Sequence, residues 1–322
     1  TAPTPDVATL ADVTAECEVT ALTAPTATDN CGGVVTVTND ATLPITTQGT
    51  TVVTWTYTDA QGNSSTQTQN VVITDVTAPT PDIATLADVT AQCEVTALTD
   101  PTATDNCGGV VTVTNDATLP ITAQGTTVVT WTYTDAQGNS STQTQNVVIT
   151  DTTAPVADNA TLADVTAECE VTALTAPTAT DNCGGVVTVT NDATLPITAQ
   201  GTTVVTWTYT DAQGNSSTQT QNVVITDTTA PTPDVATLAD VTAECEVTAL
   251  TAPTATDNCG GVVTVTNDAT LPITAQGTTV VTWTYTDAQG NSSTQTQNVV
   301  ITDTTAPTPD VATLADVTAE CE

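Results

Sequence analysis

The amino-acid sequence repeats itself at a fixed interval, and this constrains the fold more than any other feature. The segment Thr-Ala-Pro begins at Thr1 and again at Thr77, so the period is 77 − 1 = 76 residues. A period of this length indicates a tandem array of similar folded units. We therefore predict four domains at residues 1–76, 77–152, 153–228 and 229–304, followed at 305–322 by the start of a fifth that is cut short. The chain would then be a piece of a longer protein.

Each repeat has the composition of β-structure. Threonine and valine, which favour strands, fill two runs at residues 50–59 and 64–75. The segment that joins them contains Gly62, which readily adopts the positive φ that a hairpin turn requires. The two runs therefore predict a β-hairpin.

The apolar residues of this hairpin alternate with polar ones. Val53, Trp55 and Tyr57 share one side of the first strand, while threonines occupy the other side. This period of two is typical of a half-buried strand. We expect Trp55 to face the core, together with Val71 and Ile73 of the second strand.

Two further segments, residues 10–19 and 34–38, also favour strands, and prolines and glycines interrupt the rest of the repeat. Several short strands separated by turns are typical of an immunoglobulin-like sandwich. The predicted fold is all-β, with tandem immunoglobulin-like antiparallel β-sandwich domains of six or seven strands each. The proline-containing junction at residues 77–82 would act as a semi-rigid spacer, so we expect an extended rod.

Cysteine occurs twice in every repeat, always at the same two positions. A domain of this size has a small core and needs additional stabilisation. An even number of regularly placed cysteines indicates disulfides, and hence an oxidising, extracellular environment. The predicted disulfide cysteines are Cys17, Cys31, Cys93, Cys107, Cys169, Cys183, Cys245 and Cys259, and Cys321 is left single by the cut.

The spacing leaves more than one disulfide pairing open. We expect a local pair within each repeat, such as Cys17 with Cys31, because it would stabilise every repeat independently by roughly 3 kcal/mol in the chain-entropy model. The alternative joins Cys31 to Cys93 across a boundary between repeats. Zinc binding is a weaker interpretation, because two thiols per repeat without any histidine do not complete a tetrahedral ligand set.

The charge of the chain excludes several partners. It has 36 acidic residues and no lysine, arginine or histidine, which gives a net charge of −36. Binding to DNA or RNA depends on cationic side chains, so nucleic acid is excluded. Anionic membrane surfaces are disfavoured for the same reason. No apolar run is long enough for a spanning helix, so we predict no membrane insertion in this segment.

The same composition argues against catalysis. General acid–base and nucleophilic catalysis rely on histidine, lysine, or cysteine activated by a cationic neighbour, and the chain has no cationic side chain. A pair of carboxylates could hydrolyse glycosides, but a catalytic cleft rebuilt in every small repeat is a poor fit. We therefore predict that the chain is not an enzyme.

The carboxylates predict calcium at the junctions between repeats. Calcium takes six to eight oxygen ligands, and oxygen is what this sequence supplies. The second strand of the hairpin ends where its repeat ends, so the hairpin turn should face the preceding repeat. The predicted ligands are Asp75, Asp82, Asp135, Asn139, Asp151, Asp211, Asp227 and Asp287, with Asp105 as a further candidate if its loop faces the same end. The alternative is that residues such as Asp59 and Asn63 only form the turn.

Three segments of the repeat resemble a known family. They are Asp29-Asn30-Cys31-Gly32-Gly33, residues 49–63, and Thr77-Ala78-Pro79. In these segments the repeat resembles the HYR family of immunoglobulin-like repeats, and it is similar to the repeat arrays of giant gliding-motility adhesins on the surface of flavobacteria. The resemblance covers the whole chain and implies a secreted, surface-anchored filament.

Two functions follow from these features. The first is a structural stalk in a cell-surface adhesin, which extends a distal adhesive region for surface attachment or gliding motility and whose partners are neighbouring repeats of the same chain. The second is a multivalent binding module, in which each repeat weakly binds extracellular polysaccharide or a surface protein. Near-identity of the repeats favours the stalk. Both functions place the protein outside the cell, at the cell surface.

Overall fold

The computed structural model describes residues 1–311, 313 and 315–320. Among these residues the only regular secondary structure is β-strand, and the same six strands recur in each of the four complete repeats. The described residues contain no helix that is long and apolar enough to cross a membrane. By compactness the chain divides into two units, Thr1–Thr152 and Thr153–Glu322, each of which contains two complete repeats.

The strands are numbered along the chain. The first repeat contains β1 (Thr4–Pro5), β2 (Val13–Ala15), β3 (Ala27–Thr28), β4 (Thr36–Asn39), β5 (Gly49–Thr58) and β6 (Ser64–Ile73). The second contains β7 (Thr80–Pro81), β8 (Val89–Ala91), β9 (Ala103–Thr104), β10 (Thr112–Asn115), β11 (Gly125–Thr134) and β12 (Ser140–Ile149). The third contains β13 (Val156–Ala157), β14 (Val165–Ala167), β15 (Ala179–Thr180), β16 (Thr188–Asn191), β17 (Gly201–Thr210) and β18 (Ser216–Ile225). The fourth contains β19 (Thr232–Pro233), β20 (Val241–Ala243), β21 (Ala255–Thr256), β22 (Thr264–Asn267), β23 (Gly277–Thr286) and β24 (Ser292–Ile301).

Each repeat is a sandwich of a four-stranded sheet and a two-stranded sheet. In the first repeat the larger sheet has the order β2-β6-β5-β4, and the smaller sheet pairs β1 with β3. Strands β5 and β6 form the predicted hairpin, with Gly49 opposite Ile73. Strand β2 runs parallel to β6, with Val13 opposite Val71. The all-β sandwich with six strands per repeat is confirmed, and the parallel pair corrects the expectation of a purely antiparallel sheet.

The hydrophobic core lies on the predicted face of the hairpin. Val53, Trp55 and Tyr57 of β5, and Val71 and Ile73 of β6, are each at most 1% exposed. The threonines between the β5 residues point to the opposite face, as a period of two requires. The remaining buried core residues of this repeat are Val19 and Ile45. The alternation in the sequence therefore identified the core correctly.

Glutamines of β6 connect the buried aromatic rings to the segment that precedes β2. Gln69 Oε1 accepts a hydrogen bond from Trp55 Nε1 at 3.0 Å, and Gln69 Nε2 donates to the backbone carbonyl of Ala11 at 2.8 Å. The neighbouring Gln67 accepts a hydrogen bond from the hydroxyl of Tyr57 at 2.8 Å. The polar atom of each buried ring thus has a partner, and an irregular stretch of chain is held against the sandwich.

Replacing Gln69 by leucine removes the acceptor for Trp55 Nε1. Because a buried polar group without a partner costs about 1–3 kcal/mol, we expect the free energy of unfolding of the first repeat to fall by that amount. Urea unfolding followed by tryptophan fluorescence measures this. The other three tryptophans are first replaced by phenylalanine, so that only Trp55 reports.

The matched control is Gln61→Leu. Gln61 lies in the hairpin turn and is exposed, so we expect its replacement to change the free energy of unfolding by less than about 0.5 kcal/mol. Equal losses in the two variants would contradict the role assigned to Gln69.

Candidate functional site at the junction between repeats

The parallel pairing of β2 with β6 decides where the two cysteines of a repeat lie. The N–H of Thr74 donates a hydrogen bond to the carbonyl of Ala15 at 3.0 Å. Cys17, two residues after β2, therefore lies at the C-terminal end of the repeat. The loop that contains Cys31 accepts a hydrogen bond from the hydroxyl of Thr1, at the N-terminal end. The two cysteines of one repeat are thus at opposite ends of the sandwich.

Within each unit a disulfide joins the C-terminal end of one repeat to the N-terminal end of the next. In the first unit Cys17 is bonded to Cys107, with a Cα–Cα distance of 4.8 Å. In the second unit Cys169 is bonded to Cys259, with a Cα–Cα distance of 4.9 Å. Each bond spans 90 residues of sequence. The disulfides therefore hold successive repeats together covalently.

The expected local pairing of Cys17 with Cys31 is wrong, and the alternative of Cys31 with Cys93 does not form either. A ten-residue strand such as β5 spans about 33 Å, whereas disulfide-bonded Cα atoms lie within about 7 Å. Cysteines at opposite ends of the sandwich therefore cannot meet. Of the other cysteines, Cys31 and Cys245 are free and exposed, Cys93 and Cys183 are disulfide-bonded, and Cys321 lies outside the described residues.

Two aspartates lie beside each of these disulfides. In the first unit Asp75 follows β6 of the first repeat, and Asp105 precedes Cys107 in the second repeat. One carboxylate oxygen of each aspartate and the sulfur of Cys107 lie within 4.8 Å of one another. Asp75 is 5% exposed and Asp105 is 6% exposed. The equivalent group in the second unit consists of Asp227, Asp257 and Cys259.

Each of these carboxylates has one oxygen that is hydrogen-bonded and one that is not. Asp75 Oδ1 accepts a hydrogen bond from the N–H of Thr77 at 3.1 Å. Asp105 Oδ2 accepts one from the N–H of Cys107 at 2.9 Å. The buried side-chain oxygens without a hydrogen-bond partner among the described residues include Asp75 Oδ2, Asp105 Oδ1, Asp227 Oδ2 and Asp257 Oδ1. Since burial of an unpaired charged oxygen is costly, these atoms mark a candidate ligand site.

Further hydrogen bonds cross the junction. Asn139 Nδ2 donates to the backbone carbonyl of Asp75 at 3.2 Å. Asn106 Nδ2 donates to Glu16 Oε2 at 3.1 Å, and the hydroxyl of Thr77 donates to the same oxygen at 2.9 Å. In the second unit, Asn291 Nδ2 donates to the backbone carbonyl of Asp227, and Asn258 Nδ2 donates to Glu168 Oε2. These bonds confirm that the hairpin turn of one repeat faces the end of the preceding repeat.

The remaining predicted ligands have hydrogen-bond partners within their own repeats. Asp135 accepts the backbone N–H groups of Gln137 and Asn139 and the side-chain amide of Asn139, at 2.8–2.9 Å. Desolvation opposes ionisation, but the bonds from Asn139 and Gln137 lower the pKa of Asp135 below its ordinary value. Asp82 is exposed and accepts a hydrogen bond from the hydroxyl of Thr104 at 2.7 Å. Asp211 and Asp287 are held in their turns by Asn215 and Asn291.

The structure therefore brings Asp75 together with Asp105 and Asn139, whereas Asp82 and Asp135 lie outside the acidic pair. Asp151 is buried, and its backbone N–H donates a hydrogen bond to Gln124 Oε1 at 3.0 Å. Asp257 is the member of the second pair that the sequence prediction missed. Asp257 occupies the same position in its repeat as Asp105, and this equivalence in the sequence identifies it as a further candidate ligand.

The fold and the junction together define a class, namely tandem β-sandwich repeats joined by disulfides and suited to an oxidising, extracellular environment. The chain belongs to the family described as "HYR-like domain with 4 cysteines", which matches residues 3–73, 76–149, 152–225 and 228–301. Each matched segment of this chain contains two cysteines. The resemblance to HYR repeats is thereby confirmed.

Two curated relatives are named hyalin. The chain is 37% identical to hyalin of Lytechinus variegatus and 38% identical to hyalin of Strongylocentrotus purpuratus, over 89% and 90% of its length. It spans 59% and 27% of the lengths of these two relatives.

Solved structures are similar only at a low level. The extracellular domain of protocadherin gammaB4 matches with a TM-score of 0.32 and 13% identity, over 94% of this chain and 67% of that one. Immunoglobulin domains 1–5 of Sidekick-1 match with a TM-score of 0.31 and 10% identity, over 94% and 80%.

Counting thiols distinguishes the pairing across repeats from a local pairing. Because Cys31 is free, we expect Cys31→Ser to lower the number of thiols in the denatured, unreduced chain by one. A local bond would instead release Cys17 and raise the number by one. Cys17→Ser raises the number by one under either pairing and therefore serves as the control for the thiol assay.

Proposed function

We propose that the chain is a force-transmitting stalk segment of a secreted cell-surface adhesin, which extends a distal adhesive region for surface attachment or gliding motility. The observation that carries this proposal is the disulfide between consecutive repeats, seen as Cys17–Cys107 and Cys169–Cys259. A bond within a repeat would stabilise that repeat alone. A bond between repeats also transmits a pulling force from one repeat to the next, so that the residues inside the closed loop do not bear it.

The length of the closed loops supports a mechanical role. The Cys17–Cys107 loop contains strands β3 to β6 and the first three strands of the second repeat. These residues cannot be stretched while the bond is intact. At about 3.3–3.6 Å per residue, each 90-residue loop withholds about 300 Å of extended chain. In the chain-entropy model a loop of this length also stabilises the folded state by about 4–5 kcal/mol.

The composition also suits a stalk whose partners are neighbouring repeats of the same chain. The net charge of −36 makes separate copies repel one another, which favours individual filaments over lateral aggregation. The proposal gives the repeats no catalytic role, consistent with the absence of histidine, lysine and arginine from the sequence.

A second candidate function is multivalent binding, which is favoured by a surface groove that recurs in three repeats. In the second repeat the groove has a volume of about 400 Å³ and is lined in part by Pro120, Ile121 and Val128. Val128 is 57% exposed there. The equivalent grooves of the third and fourth repeats measure about 450 and 420 Å³. Because the negative charge repels anionic polymers, the ligand of this second proposal is a neutral polysaccharide.

Stretching the whole chain from its two ends tests the stalk. We expect the oxidised chain to extend at least about 600 Å less than the reduced chain, because each of the two described disulfides withholds about 300 Å. Single-molecule force spectroscopy with and without dithiothreitol measures the difference. The control variant, Cys31→Ser with Cys245→Ser, lacks only free thiols and should extend like the unsubstituted chain. Equal extension of the oxidised and reduced chains would overturn the proposal.

Surface plasmon resonance on immobilised dextran, a neutral polysaccharide, tests the second candidate. If the groove binds, retention of the chain should be lost when Val128, Val204 and Val280 are replaced by serine. The matched control replaces Val110, Val186 and Val262, which are exposed valines that do not line the groove. Equal retention of both variants, or none by the unsubstituted chain, would rule out this mode of binding.

A further inference from the structure

We propose that each described junction binds a calcium ion between two aspartates of consecutive repeats. The ligands are Asp75 with Asp105 in the first unit and Asp227 with Asp257 in the second. This inference goes beyond the stalk function, because it rests on the electrostatics of the junction and holds whether or not the chain bears force.

The site holds two negative charges that no cationic side chain neutralises. Two carboxylates lie within 4.8 Å of each other, both more than nine-tenths buried. Each presents a buried oxygen with no hydrogen-bond partner among the described residues. The sequence contains no lysine, arginine or histidine that could neutralise them. A cation from solution supplies the missing positive charge.

Hydrogen bonds to the backbone hold both carboxylates in place. The opposite oxygen of each carboxylate is held by a backbone N–H group, of Thr77 for Asp75 and of Cys107 for Asp105. The backbone N–H of Asp75 is itself bound to Gln48 Oε1 at 3.1 Å. The unpaired oxygens are therefore fixed before any ion binds, which lowers the entropic cost of binding.

The donor atoms of the site favour calcium over zinc and magnesium. Cys107 and Cys259 are the third members of the two clusters, but their sulfurs are in disulfides and offer no thiolate. The remaining donors are carboxylate oxygens, which are typical ligands of hard cations and not of zinc. Calcium accepts irregular geometry with water in the remaining positions, whereas magnesium demands a near-ideal octahedron. With two carboxylates per site, we expect a Kd of about 10⁻⁴–10⁻³ M, as in other extracellular modules.

The same pair of aspartates occurs in both units. The second unit repeats the arrangement in each respect that bears on binding. Asp227 Oδ1 accepts the N–H of Thr229 at 3.1 Å, and Asp257 Oδ2 accepts the N–H of Cys259 at 2.9 Å. In both units one ligand comes from each of the two repeats. A bound ion would therefore link the repeats noncovalently beside the disulfide.

Counting calcium ions bound to the whole chain tests the proposal. Equilibrium dialysis against CaCl₂ gives the number of ions per chain, and the Asp105→Asn, Asp257→Asn variant should bind two fewer than the unsubstituted chain. The matched control, Asp82→Asn with Asp234→Asn, removes the same charge from exposed aspartates outside the two pairs. We expect it to bind as many ions as the unsubstituted chain.

Thermal unfolding provides an independent measurement. At 10 mM calcium we expect the Tm of the unsubstituted and control chains to rise by about 5 °C, and that of the Asp105→Asn, Asp257→Asn variant to rise by less. If that variant fails to fold by circular dichroism, Asp75→Asn with Asp227→Asn tests the same sites from the preceding repeats. Equal ion counts in the paired and control variants would overturn the proposal.

A shared proton is the competing way to neutralise two adjacent carboxylates. In that case calcium would change neither the number of bound ions nor the Tm, which would also overturn the proposal. The extension of the oxidised chain, measured in chelator, stays about 600 Å shorter than that of the reduced chain in either case. Failure of the calcium site is therefore distinguishable from failure of the stalk.

Discussion

The parallel pairing of β2 with β6 is the interaction on which the organisation of the junction depends. It directs the chain after β2 to the C-terminal end of the repeat, so that Cys17 lies near Asp75. The loop after β9 carries Asp105 and Cys107 to the N-terminal end of the next repeat. A disulfide formed from these positions has to leave its own repeat. The acidic pair lies beside the disulfide for the same topological reason.

A chain without cationic side chains has few ways to keep a carboxylate buried. In the hairpin turns the problem is solved locally, because the backbone N–H groups of Gln137 and Asn139 bind one oxygen of Asp135 and the side-chain amide of Asn139 binds the other. At the junction the supply of donors is smaller, and one oxygen each of Asp75 and Asp105 is left over. The same residue type is thus structural in one place and a candidate ligand in another. The difference is that the side-chain amide of Asn139 binds the second oxygen of Asp135, whereas the second oxygens of Asp75 and Asp105 have no hydrogen-bond donor among the described residues.

Features that depend on local periodicity were predictable from the sequence. The hairpin, its glycine turn and the burial of Trp55 follow from alternation and turn chemistry, and the structure confirms them. The pairing of Cys17 was not predictable from spacing, because it depends on the direction in which β2 runs. Asp135 was chosen as a ligand for its position in the turn, but its oxygens already bind the turn itself. Placing Asp105 required knowledge of which end its loop faces, and that is a property of the tertiary fold.

The 90-residue span of the Cys17–Cys107 bond also governs how the chain can mature. The second cysteine is synthesised well after the first, and it reaches its partner only when the following sandwich has formed. Equivalent cysteines of different repeats lie in nearly identical sequences, so chemical reactivity alone would not select the right partners. Oxidation before folding would scramble them, whereas oxidation after folding is directed by geometry. The second and fourth repeats, once folded, therefore supply the thiols that lock the repeats before them, and export as an unfolded thread is compatible with a correctly linked chain.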